Sequence, residues 1–376
     1  MPQAPPARVG DPVDAIDTPA LVLDLETFER NLARMTDAVR GTRVRLRPHG
    51  KAHKCAEIAL RQTALGAVGI CAQKVSEAEA FVDAGVRDVF VSNEVVGANK
   101  IERLVQLARR ARIGVCVDDA QSVRALGGMA QWVNTSLDVF VEIDVGQHRC
   151  GVAPGAAALA LARAVDAQPA LRFAGLQAYL GSAQHVRSVS ERRQSIAAAA
   201  ALARQTRELI VAAGLTCDVV TGGGTGTFPF EIASGVYDEI QPGSYVFMDA
   251  DYSRNEWRAA DGEVMPQFEQ SLFLLATVMS RPVPARAVVD AGLKATSVES
   301  GLPRVVGCPG VEYVQPSDEH GVLAVDSDAP GLRLGEKLRL VPGHCDPTVN
   351  LHDWIVGVRG DRVECVWAVT ARGAIG

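Results

Sequence analysis

Between about residues 28 and 245, short apolar or β-branched runs alternate with longer stretches in which apolar residues return every three or four positions. The runs fall at 44–46, 69–72, 89–92, 114–117, 139–143, 173–178, 219–221 and 239–241 and read as strands. A helix is expected over 76–84, where Ser76 and Glu79 have capping-box spacing and Gly85 follows as a stop. A second is expected over 190–213, alanine-rich, opened by Ser188-x-x-Glu191 and closed by Gly214. Ile101, Leu104, Val105 and Leu107 predict a third over 100–112. Strands and helices in this rhythm over ~220 residues point to an α/β fold, a TIM-type (β/α)8 barrel, with an open doubly wound sheet as the alternative.

After about residue 266 the pattern changes. Segments 272–279, 287–290, 304–306, 321–325, 337–341, 354–359 and 362–369 are short, β-branched and separated by Gly, Pro or Asp turns. They predict a second, antiparallel all-β domain. The expected division is a barrel over 28–265 and a β domain over 266–376, with 1–27 joined to the latter. The run Ala20-Leu21-Val22-Leu23 fits either unit, and the proline-rich start, MPQAPPARVGDP, reads as a loose arm without the apolar core of a secretory signal.

Length and composition agree with two domains: 376 residues, 48% apolar. A net charge of −6 argues against nucleic acid as the main partner. No apolar run approaches the ~18 residues of a membrane span. Eight cysteines without a C-x-x-C pair fit a reduced, cytoplasmic setting better than a disulfide framework.

The candidate chemistry collects after the strands, where barrels of this type place it. Arg47-Pro48-His49-Gly50-Lys51-Ala52-His53-Lys54 crowds two lysines and two histidines behind the first strand. Neighbouring cations would lower the proton affinity of a lysine there, as Schiff-base chemistry requires; the plain alternative is a solvated basic turn. Gln73, Asn93, Asp118, Asp119, Asp144, Arg149, Tyr179, Ser182 and His185 follow later strands. Thr221-Gly222-Gly223-Gly224-Thr225-Gly226 follows the seventh strand and Gly243-Ser244-Tyr245 the eighth. The glycine run is either a flexible loop or half of a barrel phosphate site, and it matches neither the P-loop nor the dinucleotide fingerprint. A phosphate cup beside a reactive lysine means pyridoxal phosphate, or a sugar-phosphate aldolase that uses the lysine directly. In Pro342-Gly343-His344-Cys345-Asp346-Pro347-Thr348, an extended backbone would turn His344 and Asp346 to one side. Such a pair suits Mn²⁺ or Mg²⁺; the plain alternative is a capped turn. Asp318-Glu319-His320 and His352-Asp353 are lesser ligand candidates that read as surface turns.

The strings DTPALVLDL, RPHGKAHK, CAQKVSEAEAF, VEIDVG-x-x-RCGV, TGGGTG, PGSYVFMDADY, DAGLK, SDEHGV and PGHCDPTVNLHDW occur in one order from Asp17 to Gly373. Together they resemble the D-threonine aldolase family of alanine racemase-like pyridoxal phosphate enzymes. HGKAHK, GLPRV and PGHCDPT lean towards the 3-hydroxy-D-aspartate aldolases, whereas Asn255-Glu256-Trp257 leans back. Related D-serine dehydratases carry H-x-C where this chain has His344-Cys345-Asp346. The resemblance implies that Lys51 is the Schiff-base lysine, that Gln73 lies beside the cofactor ring and that Arg149 partners the pyridine nitrogen. It implies that Tyr179 contacts the cofactor, that Thr225, Gly243 and Ser244 hold the phosphate with Tyr252 nearby, that His344 and Asp346 hold a divalent cation, and that His185 is the base. It further implies a homodimer that cleaves a small D-3-hydroxy amino acid to glycine and an aldehyde. Rival readings are a dehydratase or racemase on the same fold, and a protein that only binds pyridoxal phosphate.

Overall fold

In a computed structural model that describes residues 4–260, 262–329 and 331–376, the chain forms two sheets. The first three residues of the N-terminal arm lie outside the described residues. All eight expected barrel strands are present: β2 (Arg45–Leu46), β3 (Ile70–Ala72), β4 (Asp88–Glu94), β5 (Arg112–Val117), β6 (Leu137–Glu142), β7 (Leu171–Gln177), β8 (Val219–Gly222) and β9 (Glu239–Ile240). They pair in parallel in the order β2-β9-β8-β7-β6-β5-β4-β3. A parallel bridge between His49 and Cys71, with Cys71 N–H donating to Pro48 O at 2.8 Å, joins the two ends of that order. The sheet is therefore a closed barrel, and the open alternative falls.

The strands close because their apolar runs are buried on both faces. Val89, Val91, Val115, Val117, Val139 and Val141 pack outward against the helix ring, and Cys71, Phe90, Cys116 and Phe140 fill the lower interior. Gly114 makes room for this layer: a Cβ there would stand 3.0 Å from the Phe90 ring. Below the cavity, Arg47 is buried between Glu239 at 2.7 Å and Asp88 at 2.5 Å, so its charge is matched on both sides.

Two helix starts and ends differ from the sequence reading. The helix α3 is Val75–Asp83, and its cap is the buried Glu77, which accepts from Gln73 N–H at 2.7 Å and Lys74 N–H at 3.3 Å. Ser76 is unavailable for capping because its hydroxyl donates to the Gly376 carbonyl, and Glu79 pairs with Arg103. The helix expected over 100–112 is Ala98–Leu107 (α4), since Arg112 already belongs to β5. The long helix is Val189–Ala212, one residue from expectation at each end.

The second sheet contains β10 (Leu272–Val283), β11 (Arg286–Val289), β12 (Arg304–Val306), β13 (Val311–Pro316), β14 (Gly321–Val325), β15 (Lys337–Val341), β16 (Trp354–Arg359) and β17 (Arg362–Ala368). The strand β1 (Ala20–Asp24) settles its own assignment by lying between β10 and β16. Its pairing with β16 is parallel, so the sheet is not purely antiparallel. The N-terminal arm is not loose over its described part: Gly10 N–H donates to Val363 O at 2.9 Å, Val13 N–H donates to Asp361 O at 2.9 Å, and Ala7 is buried. Asp318-Glu319-His320 is an exposed turn in which Glu319 pairs with Lys294, whereas His352 is partly buried, with its Nε2 2.8 Å from Ala295 O.

Candidate active site

A cavity of about 310 Å³ opens at the carboxyl ends of the barrel strands. Of the eleven candidate positions, Lys51, Gln73, Arg149, Tyr179, His185, Thr225, Gly243, Ser244 and Tyr252 line it. His344 and Asp346 stand beside it on the β domain and reach it through Asp346.

Lys51 sits in a single 3-10 turn, Gly50–Ala52, that follows β2. Its ammonium forms an ion pair with the Asp346 carboxylate. Burial alone would lower the lysine's proton affinity, but Asp346, with Tyr179 behind it, outweighs burial and holds Lys51 above its ordinary range. This overturns the expectation of a lysine depressed by neighbouring cations. The neighbouring histidines are not cations at neutral pH: burial pushes His49 down to about 3 and His53 to about 4. Lys54 is itself buried and spent elsewhere, 3.1 Å from Glu77 and 2.9 Å from Asn350 Oδ1. His49 Nε2 lies 3.1 Å from Ser92 Oγ and 3.2 Å from Gln73 Oε1, so it orients Gln73 at the cavity wall.

The opposite side of the cavity is formed by the loops after β8 and β9. Among the described residues, the backbone N–H groups of Thr225 and Ser244 donate to no protein atom, and the hydroxyls of both residues belong to the same wall. Such converging donors fit a phosphate group. The glycines have a packing role as well. A Cβ on Gly224 would come within 2.5 Å of Gln184 Oε1, and one on Gly226 within 2.6 Å of Gln184 O. Bare backbone at both positions lets the turn Ser182–His185 dock against this loop.

His344 and Asp346 converge, but not through an extended backbone. His344 caps the short helix Cys345–Val349, and Asp346 lies in its first turn. The His344 Nε2 atom is 3.8 Å from Asp346 Oδ1. Its Nδ1 lies 2.5 Å from Glu299 Oε1, so the Nδ1 proton faces a carboxylate and the Nε2 lone pair faces Asp346. One imidazole nitrogen and one carboxylate oxygen, with room for water, fit a hard divalent cation held at an open site rather than a closed zinc cage. Burial works against the Asp346 carboxylate, but Lys51 and His344 hold its pKa well below the usual range. Among the described residues, three ligand-bearing groups lie close enough together for a cation only at Glu94, Asp118 and Cys150.

His185, from the turn after β7, enters the cavity with its Nδ1 against Asp251 and its ring 5.5 Å from Tyr252. Arg149 lies within electrostatic reach of Glu142, whose carboxyl burial and Glu94 push up to about 8. The sequence reading missed Asp251, Glu299, Gln177 and Gln241. The last two were legible as polar residues ending strands; they form a pair in the cavity floor, with Gln241 Nε2 donating to Gln177 Oε1 at 2.8 Å. Asn93, Asp119 and Asp144 serve the scaffold instead: Asn93 Nδ2 donates to Gln73 O across to the neighbouring loop, Asp119 caps a helix, and Asp144 accepts from Gly146 N–H and His148 N–H within its own loop.

A closed barrel with a lysine after its first strand, joined to a β domain containing the chain's first strand, defines the alanine racemase-like fold of pyridoxal phosphate enzymes. Residues 23–251 match the alanine racemase N-terminal domain family, and residues 271–358 match a serine dehydratase domain family. The chain is 53% identical over 369 residues to a D-threonine aldolase from Arthrobacter sp, covering 98% of this chain and 96% of that one. It is 49% identical over 372 residues to a 3-hydroxy-D-aspartate aldolase from Paracoccus denitrificans, covering 98% and 95%. The crystal structure of D-threonine aldolase from Filomicrobium marinum superposes with a TM-score of 0.96 at 51% identity, with both chains fully covered. The chain belongs to the D-threonine aldolase family of lyases.

Proposed function

We propose that this protein is an aldolase that uses pyridoxal phosphate and Mn²⁺ or Mg²⁺ to cleave the Cα–Cβ bond of D-3-hydroxy amino acids, giving glycine and an aldehyde. The observation that carries the reading is the meeting of Lys51, from the barrel's first loop, with Asp346, from the β domain, at one cavity.

Pyridoxal phosphate, when bound, supplies an electron sink for the pair left at Cα. Lys51 is the residue that would hold it covalently, and Thr225, Gly243 and Ser244 would hold its phosphate beside Tyr252. Gln73 and Tyr179 would flank the ring, and Arg149 would face its nitrogen. An arginine there has no proton to give up, so it keeps the nitrogen unprotonated. His344 and Asp346 would hold the cation, which lowers the pKa of an oxygen it binds. His185 takes the proton of the substrate β-hydroxyl as the bond breaks; an imidazole suits the task because its ordinary pKa of about 6.5 lies near working pH. A homodimer in the cytoplasm completes the proposal. Apolar side chains left exposed on the β domain, Leu293 and Leu302 among them, are consistent with a subunit contact.

The test is product analysis on purified protein supplied with pyridoxal phosphate and Mn²⁺. D-threonine, D-phenylserine and 3-hydroxy-D-aspartate are compared. Glycine with the matching aldehyde is expected; an oxo acid with ammonia would mark a dehydratase and overturn the reading. Comparable identity to the Paracoccus protein favours 3-hydroxy-D-aspartate as the second substrate to rank.

A further inference from the structure

The Asp251 side chain is nearly buried, and both of its oxygens are assigned. Oδ1 accepts from Arg187 Nη2 at 2.5 Å and from Arg254 Nη2. Oδ2 faces His185 Nδ1. The carboxylate itself is held from several directions. Arg187 Nη1 also donates to Asp251 O at 2.9 Å and to Asn255 Oδ1 at 2.7 Å. Asn255 Nδ2 donates in turn to Gln184 O, next to His185 in the chain. Asp251 N–H donates to Gly343 O, one residue before His344.

We propose that Asp251 is a positioning residue for the reaction, fixing His185 as the tautomer with its proton on Nδ1 so that Nε2 carries the lone pair that takes the substrate proton. The argument is one of donor and acceptor counting. With two guanidinium groups on Oδ1, the carboxyl has no reason to keep a proton, and an ionised carboxylate can only accept. Nδ1 must then donate. A neutral imidazole has one N–H, so Nε2 is left as the acceptor. The two arginines have no substrate role in this arrangement; they prevent the carboxylate from rotating away from the ring. Burial alone would raise the Asp251 carboxyl, but Arg187, His185 and Arg254 outweigh it and hold the pKa down at about 2.

This inference rests on the proposed role of His185 as base. Asp251→Asn is the informative change, because the arginines will claim the amide oxygen and turn its NH₂ towards His185. Nδ1 would then have to accept, and the proton would move to Nε2. The expected result for the holoenzyme with Mg²⁺ is a kcat lower by on the order of 10²–10⁴, with KM and the absorbance of bound cofactor nearly unchanged. In ¹⁵N-histidine-labelled enzyme, the His185 Nε2 resonance should move from the unprotonated to the protonated range. Asp251→Glu, which keeps a carboxylate, should restore part of kcat. Turnover of Asp251→Asn within about threefold of wild type would overturn the inference. So would a protonated Nε2 in the neutral wild-type ring, a result that needs no variant and survives any failure of Asp251→Asn to fold. His185→Phe separates the two layers. Full turnover there removes His185 as the base altogether, whereas an inactive His185→Phe beside an active Asp251→Asn removes only the role of Asp251.

Discussion

Lys51 and Asp346 are 295 residues apart in the chain and form an ion pair at the mouth of the barrel. The remaining Asp346 oxygen lies 3.4 Å from Ser244 Oγ and 3.8 Å from His344 Nε2. One carboxylate thus touches the proposed cofactor lysine, the phosphate-side serine and the proposed metal histidine. Asp346→Ala should leave the visible absorbance of bound cofactor in place, weaken Mn²⁺ binding measured by titration, and reduce turnover by roughly 10²–10³-fold, the several kcal/mol expected of a lost metal contribution. Unchanged turnover would refute the metal assignment.

Lys51→Ala should abolish the cofactor's visible absorbance. Lys54→Ala should not, although the two residues share one short loop. Lys54 is instead the buried counter-charge of Glu77, and its ammonium also meets Asn350 Oδ1 and the Ala374 carbonyl. Its removal strands a carboxylate that is 3% exposed, a loss of about 3–5 kcal/mol in folding stability. Denaturant melts of the two variants beside their absorbance spectra check both halves of this statement.

Exhaustive chelation should suppress activity and lower the melting temperature, and added Mn²⁺ or Mg²⁺ should restore both. His344 is already oriented without a cation by Glu299. Full-rate cleavage after chelation would count against a metal role.

The Glu142 carboxyl gives a dependence on pH that is independent of catalysis. Burial, and then the neighbouring Glu94, raise it from 4.5 to about 8. Between those two values the native protein keeps a proton that the unfolded chain has released. The native state binds more protons there, so stability falls as pH rises through that window. Glu142→Gln cannot titrate and should flatten the fall. Melting temperatures from pH 5 to 8 for both proteins make the comparison, and parallel curves would contradict it.

Much of the fold was legible because apolar runs mark buried strands wherever they occur, and the eight runs from Val44 to Gln241 are all strands of the barrel. The strand Val311–Pro316 was not, because Val-Glu-Tyr-Val-Gln-Pro is half polar, ends in proline and carries an irregularity between Tyr313 and Gln315. The positions lining the cavity were legible as polar residues closing strands. Their electrostatics were not. The charge environment of Lys51 is set by an aspartate hundreds of residues away, which no local pattern reveals. Asp251 is one of two acids in Asp249-Ala250-Asp251, and only the convergence of His185 and Arg187 from the loop after β7 with Arg254 from its own loop distinguishes it.

The placement of Ala20–Asp24 between β10 and β16 has a consequence for biosynthesis. This segment leaves the ribosome before the other strands, yet one of its edges stays bare until residues 272–275 have been made and the other until residues 355–358 have been made. The barrel can close while its N-terminal neighbour still waits, exposing an apolar edge of the kind that invites wrong pairing. Assembly therefore joins an early segment to a much later one, and a product truncated before residue 354 would present an aggregation-prone ribbon beside an otherwise finished barrel.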